Sequence, residues 1–466
     1  MRKIVANRVY PALLFLLLLP LLLSGCLQGF FHGVKNIFGS GSGTRAVAID
    51  KAKTGEKDIQ VVKPAKEAKA PEPTLSYEDK ILSQIINLQN PESLLPLTSQ
   101  EQSRARRRSG GTADDEAQPT GSEVTSGTPD ISYHDALLTE DTTWQGLVLI
   151  DGGVTIAPQT TLTVSKGTIV RFRRSAGSDA NAALLVQGRI VVNGTVDRPV
   201  LFTSTFRDVS NGDWQGIVLT GSGKKNLIEH CRVEGADTGV DASYSTVTLK
   251  NAFFSRCRTG ARLQDTLAVM AGVGAGECGA GLILYDCEAD IRSANLFGNQ
   301  VGIFAARSSL SLAESGFTGN NLLAISADTC RISIAGNSFT ANGSALSLIG
   351  CEGSVSSNRI SKNAVFGMVL MRSRVKVNGN EIEGNGKVGL RTEDGKGVAW
   401  GNALFANGDY DLYNNGIDEF RAIGNWWGKV ATADLAGRIY DRNWDESRGR
   451  VLYFPVLQKR PENSLP

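Results

Sequence analysis

Histidine is nearly missing from this chain: His32, His134 and His230 are all it has in 466 residues. None stands at metal-ligand spacing from a second histidine or a carboxylate, which argues against zinc sites and His-based triads. An excess of one charge is missing too. A formal net charge of +2 makes no demand for a nucleic-acid partner, and no motif for reading one is present. Long apolar runs are lacking beyond Leu23, so no second membrane span follows. Proline is sparse, 14 residues against 52 glycines, a balance that suits many tight turns.

What is present is a period. One position recurs every 21 or 22 residues, at Cys257, Cys278, Asn299, Asn320, Asn342, Asn363, Asn385 and Asn407. A period that short signals a solenoid, in which each unit buries its apolar face only by stacking on the next. Three residues before each rung the side chain is predicted to point inward: Phe254, Ala275, Leu296, Phe317, Phe339, Ile360, Ile382 and Leu404. A small-residue row follows the rungs, through Gly239, Gly260, Gly281, Gly302, Ala324, Ala345, Gly367 and Gly389. It implies a crowded turn or a backbone with positive φ. A second asparagine row runs Asn337, Asn358, Asn380, Asn402, Asn425. Coils of this length with three short strands and three turns fit an all-β fold, a single-stranded right-handed parallel β-helix. Stacked amides then donate to one coil and accept from the other, a structural task. The leucine pattern of horseshoe repeats is missing.

The N-terminus reads as an address. Arg2, Lys3 and Arg8 precede the apolar run Pro11 to Leu23, too short to span a bilayer. It ends in Leu23-Ser24-Gly25-Cys26, which resembles the lipobox of bacterial lipoproteins. That resemblance implies a signal peptide over 1–25, acylation (palmitate among the chains) at Cys26, and a membrane partner through the lipid anchor. Leu27 stands where enteric bacteria use aspartate for inner-membrane retention, which implies the outer membrane. Residues 26–130 read as a largely disordered tether. Within it, near 76–90, Ser76-Tyr77-Glu78-Asp79 offers a capping-box start, and Ile81, Leu82, Ile85, Ile86 and Leu88 give a stripe at helical spacing. One short helix is predicted there, to lie against the solenoid or dock a partner. The β-helix domain is predicted over 131–457 and a C-terminal tail over 458–466.

Both ends of the solenoid carry recognisable residues. Trp144-Gln145-Gly146, Pro199-Val200-Leu201-Phe202-Thr203-Ser204 and Gly212-Asp213-Trp214 open it, and Gly424-Asn425-Trp426-Trp427-Gly428 and Tyr453-Phe454-Pro455-Val456-Leu457 close it. These resemble bacterial right-handed β-helix repeat proteins of the pectin-lyase-like group. The Trp426-Trp427 pair reads as a cap on the last coil. The resemblance implies an extracytoplasmic setting but no single activity, because the group holds lyases, hydrolases, epimerases, adhesins and proteins without assigned chemistry. The Asp-Pro-His-Asp motif of mannuronan epimerases, the Gly-His-Gly motif of polygalacturonases and the Arg-Pro motifs of pectate lyases are absent.

A charged row, Asp265, Asp286, Arg307, Asp328, Arg372 and Asp394, is the candidate site for chemistry. Stacking would set Asp265 and Asp286 about 5 Å apart, the separation of a retaining carboxylate pair. Its plainer reading is a ladder of solvated ion pairs. Cys330 and Cys351 stack within disulfide reach, yet small buried thiols are the preferred reading. Two functions stay open. One is a non-catalytic envelope lipoprotein that binds or organises polysaccharide or other envelope components. The other is a polysaccharide lyase, hydrolase or epimerase using Asp265, Asp286, Arg307 and Asp328. No cofactor or metal is expected, apart from Ca²⁺ under the enzymatic alternative.

Overall fold

The computed structural model describes residues 127–173, 182–431 and 434–462. Cys26, the tether and the helix expected near 76–90 lie outside the described residues. The described chain winds into 37 strands of one continuous parallel sheet, in about 13 turns. Each turn presents three strands. In one coil these are Val301–Ala306, Ser309–Ala313 and Gly316–Thr318, and the next coil begins at Leu323–Asp328. Each pairs in register with its counterparts above and below: Ile303 lies against Leu282 and Ile325, and Leu310 against Ala289 and Ile332. The strands therefore form three faces, called the first, second and third sheets in the order the chain meets them.

Two residues turn the first and second corners, and three or four turn the third. At each corner the first residue takes a left-handed backbone and the second points inward. In the same coil Arg307 (φ 49°), Glu314 (φ 54°) and Gly319 (φ 63°) are the left-handed residues, followed by the buried Ser308, Ser315 and Asn320. One left-handed residue bends a strand sharply enough to start the next face, and an inward polar residue can then satisfy the amides that the bend leaves unpaired. The repeated corner also corrects one expectation. The small residues of the Gly302 row lie within the first-sheet strands and lack positive φ. Their cause is crowding, since a Cβ on Gly302 would stand 2.5 Å from the Ala324 carbonyl oxygen.

The inward residues of the third corner form the asparagine ladder. Asn363 Oδ1 accepts from the backbone N–H of Asn342 (3.0 Å) and from its Nδ2 (3.0 Å). Its own Nδ2 donates to Asn385 Oδ1 (2.8 Å) and to the Phe339 carbonyl (3.2 Å). The second corner repeats this chemistry through Asn337, Asn358, Asn380, Asn402 and Asn425. The first corner uses smaller groups: Ser308 Oγ accepts from Cys287 N–H, Cys330 Sγ from Ser308 N–H, and Ser373 Oγ from Cys351 N–H. All eight residues preceding the third-corner rungs, Phe254 to Leu404, are fully buried, and Phe317 and Phe339 stack at 4.9 Å.

The early coils hold together differently. Long strands such as Leu147–Ile156 run through a corner and pair with both Ile169–Arg173 and Ala183–Val186. Large aromatics fill the axis, with Phe172 stacked on Trp214 at 3.8 Å. At the far end Trp427 is buried within the main core and packs edge-on to the partly buried Tyr453.

Candidate functional site

The charged row sits on the first corner. Asp265, Asp286, Arg307, Arg372 and Asp394 are all left-handed corner residues with φ between 46° and 53°. Asp328 is not among them. An extra residue in its coil, between Asn320 and Leu323, shifts the register so that Asp328 pairs with Ala306 and Thr329 takes the corner. Asp328 instead accepts a hydrogen bond from the Thr329 hydroxyl at 2.8 Å. Asp286 is engaged by Arg307 through two bonds, Nε to Oδ1 at 2.9 Å and Nη2 to Oδ2 at 2.6 Å. That guanidinium, chiefly by hydrogen bonding, holds the Asp286 carboxyl below the usual carboxylate range, the opposite of what a general acid needs. The side chains of Arg307 and Asp286 are 58% and 36% exposed, so the pair rides on an open ridge.

The stacked cysteines are all free and buried. Burial pushes the Cys231 thiol up to about 12, and burial, then the neighbouring Cys278, raises Cys257. Cys351 is likewise raised by the adjacent Cys330 sulfur and by burial. Such thiols are poor nucleophiles. A cleft of about 410 Å³ opens beside the third corner, between Val209, Ser210 and Asn211 on one wall and Arg256, Glu277 and Cys278 on the other. Its arginine is spoken for by Glu234 at 3.5 Å.

A different cluster lies at the C-terminal end of the first sheet, on its outward face. Tyr413 and Tyr440 stack with centroids 4.3 Å apart and planes within 3°. Tyr410 meets Tyr440 edge-on at 5.4 Å and Trp444 at 6.3 Å. Arg391 lies 5.0 Å over the Tyr413 ring, an attraction to the ring's negative face. Beside it Glu393 accepts from Asn415 Nδ2 at 2.8 Å. Arg391 Nε is buried without an acceptor among the described residues. Burial and the neighbouring Tyr440 raise the Tyr413 hydroxyl above its ordinary value, which keeps it a neutral donor. Trp444 is 57% exposed. Aromatic surface, a guanidinium and a carboxylate thus meet on one partly buried platform whose open edge is Trp444.

Sequence reasoning missed this cluster. Tyr413 follows the first-sheet register one coil after Arg391, so a tally of outward positions would have found it. Tyr440 and Trp444 lie beyond the insertion that follows Asn414, where the period is lost.

Two family models match the chain, one described as a pectate-lyase like beta helix domain over residues 135–245 and one as a right handed beta helix region over residues 278–422. No curated protein matches it. Among solved structures it is similar to the A-module of the Azotobacter vinelandii mannuronan C-5 epimerase AlgE6, at 13% identity and a TM-score of 0.46, over 64% of this chain and 90% of that one. The periplasmic alginate epimerase AlgG is similar at 15% identity and a TM-score of 0.32, over 66% and 77%. Tailspike protein 3 of bacteriophage CBA120 follows at 13% and 0.37, over 73% and 61%. Likeness at this level reaches neither activity nor substrate. Family models and fold agree that the described chain is a right-handed parallel β-helix, with a pectate-lyase-like helix domain matched over residues 135–245 alone.

Proposed function

We propose that this chain is a lipid-anchored protein of the bacterial cell envelope whose β-helix binds polysaccharide without cleaving it, through the platform of Tyr410, Tyr413, Tyr440 and Trp444. The observation that carries the reading is the exposed Trp444 ring set against the stacked tyrosines, with Arg391, Glu393 and Asn415 alongside. Sugar rings present C–H groups on one face and hydroxyls at the edge, so they suit a site that offers an aromatic plane beside charged donors and acceptors. The engaged Asp286–Arg307 pair favours binding over the enzymatic alternative.

The test is affinity electrophoresis and calorimetry of the full chain against a panel of acidic and neutral polysaccharides. Trp444→Ala is expected to weaken retention by at least about tenfold, the order expected for loss of an aromatic anchor, while Asp286→Ala leaves it unchanged. Binding that is indifferent to Trp444→Ala would remove the platform from the account. Products released from the panel and lost in Asp265→Ala would establish the enzyme instead. Anchoring through Cys26, with outer-membrane placement, is checked by fractionation: Cys26→Ser should move the protein from the membrane pellet to the soluble fraction.

A further inference from the structure

The first sheet departs from the rest of the solenoid in having both faces buried. Strands of the second sheet alternate, with Glu288, Ser309, Arg331 and Arg374 open to solvent. Along the first sheet, Val301–Ala306 and Phe366–Met371 are buried at every position. Outward side chains there are as covered as the core: Ile283 0%, Phe304 1%, Val369 0%, Met371 2% exposed. They form an apolar cluster separate from the main core. Partly buried ion pairs bound it, Arg262 with Asp241 on one side and Arg391 with Glu393 on the other. Among the described elements, those in substantial contact with Val301–Ala306 are its stacked neighbours Ala280–Tyr285 and Leu323–Asp328, and none of these lies across its outer face. Neighbours within a sheet cannot cover one another's outward tips, as the open second sheet of the same coils demonstrates.

We infer that the occupant of this face is the chain's own segment Ser76 to Leu88, docked as an amphipathic helix along the solenoid axis. Length supports it. The four coil spacings between the strands of Ile283 and Met371 measure about 19 Å, and Ser76 to Leu88 as a helix measures about 20 Å. Chemistry supports it as well. Ile81, Leu82, Ile85 and Ile86 would supply one apolar stripe, and a helix, having paired its own backbone, can lie on a sheet face without leaving amides unsatisfied. The chain between Leu88 and the first strand at Ile131 can extend more than about 100 Å at about 3.3 Å per residue, against about 30 Å from the first coil to the strand of Ile283. A segment so placed ends at the coil of Met371 and leaves Trp444 uncovered.

The test places the photo-crosslinker p-benzoylphenylalanine at Ile85 in the full chain, mixed with an equal amount of isotope-labelled unmodified chain. Crosslinks to peptides carrying Ile283, Phe304 or Val369 in the same chain are the expected result. Crosslinks into labelled chains would assign the face to a second copy, and crosslinks elsewhere or none at all would likewise overturn the inference. An independent readout is Ile81→Ser, Leu82→Ser and Ile85→Ser combined. Apolar-dye fluorescence should rise several-fold with the far-ultraviolet circular dichroism unchanged, and unchanged dye binding would reject the docking.

Discussion

Removing the Asn363 amide would strip the acceptor from the backbone N–H and Nδ2 of Asn342, and one donor from the Phe339 carbonyl. Each buried group left unpaired costs about 1 to 3 kcal/mol. Asn363→Ala is therefore expected to destabilise by about 3 to 5 kcal/mol in urea unfolding. The corner residue directly before Asn342 has the opposite prospect: Ala341 holds φ 57° and is exposed, a conformation that costs an L-residue about 1 kcal/mol or more. Ala341→Gly should stabilise by about 0.5 to 1 kcal/mol after the entropy glycine adds to the unfolded chain. At the Asp286–Arg307 pair, the folded carboxyl is depressed. Its contribution is present above the unfolded value and is lost as pH falls through the folded one. Arg307→Ala should move the Asp286 titration, followed by carboxyl NMR, up toward the ordinary range.

Ladders need ends, and the ends are where single elements matter most. The asparagine ladder closes on Asp411, whose Oδ1 accepts from the backbone N–H of Asn407 at 3.0 Å and its Nδ2 at 2.9 Å. The side chain of Asp411 is 1% exposed, and Arg438 Nε meets its Oδ2 at 3.0 Å. A carboxylate is the fitting terminus because it accepts on both oxygens and has no donor left over. Arg438→Ala would leave that buried charge unpaired, a loss of about 3 kcal/mol. Asp411→Asn in the Arg438→Ala background should recover part of it, as thermal denaturation would report. How much of this was legible follows from the period. The rungs Asn299 to Asn407 and their inward partners Leu296 to Leu404 recur at constant spacing and were readable. Asp328 was misplaced because one extra residue before Leu323 shifts the register, and Asp411 was invisible because it lies four residues after Asn407 rather than one coil on.

Across the whole solenoid, each coil touches mainly the coils directly above and below it, so damage should spread by proximity. In Asn363→Ala, hydrogen exchange is expected to accelerate first in the coils of Asn342 and Asn385 and last around the Phe172–Trp214 stack. Uniform acceleration from Leu147 to Leu452 would contradict this local coupling.

Sequence alone determined the coil length, the parallel stacking, the two asparagine rows and the inward apolar residues, because each is a local demand repeated every 21 or 22 residues. It also set out the candidate carboxylates and the apolar stripe near Ile85. Tertiary structure decided what the carboxylates face. It put Asp286 and Arg307 together on an exposed corner, gathered Tyr413, Tyr440 and Trp444 across an interrupted period, and buried the outer face of the first sheet. The reason is physical: periodicity records which side of a strand must be dry, whereas a site depends on which side chains from separate coils converge, and that is settled only when the coils are stacked.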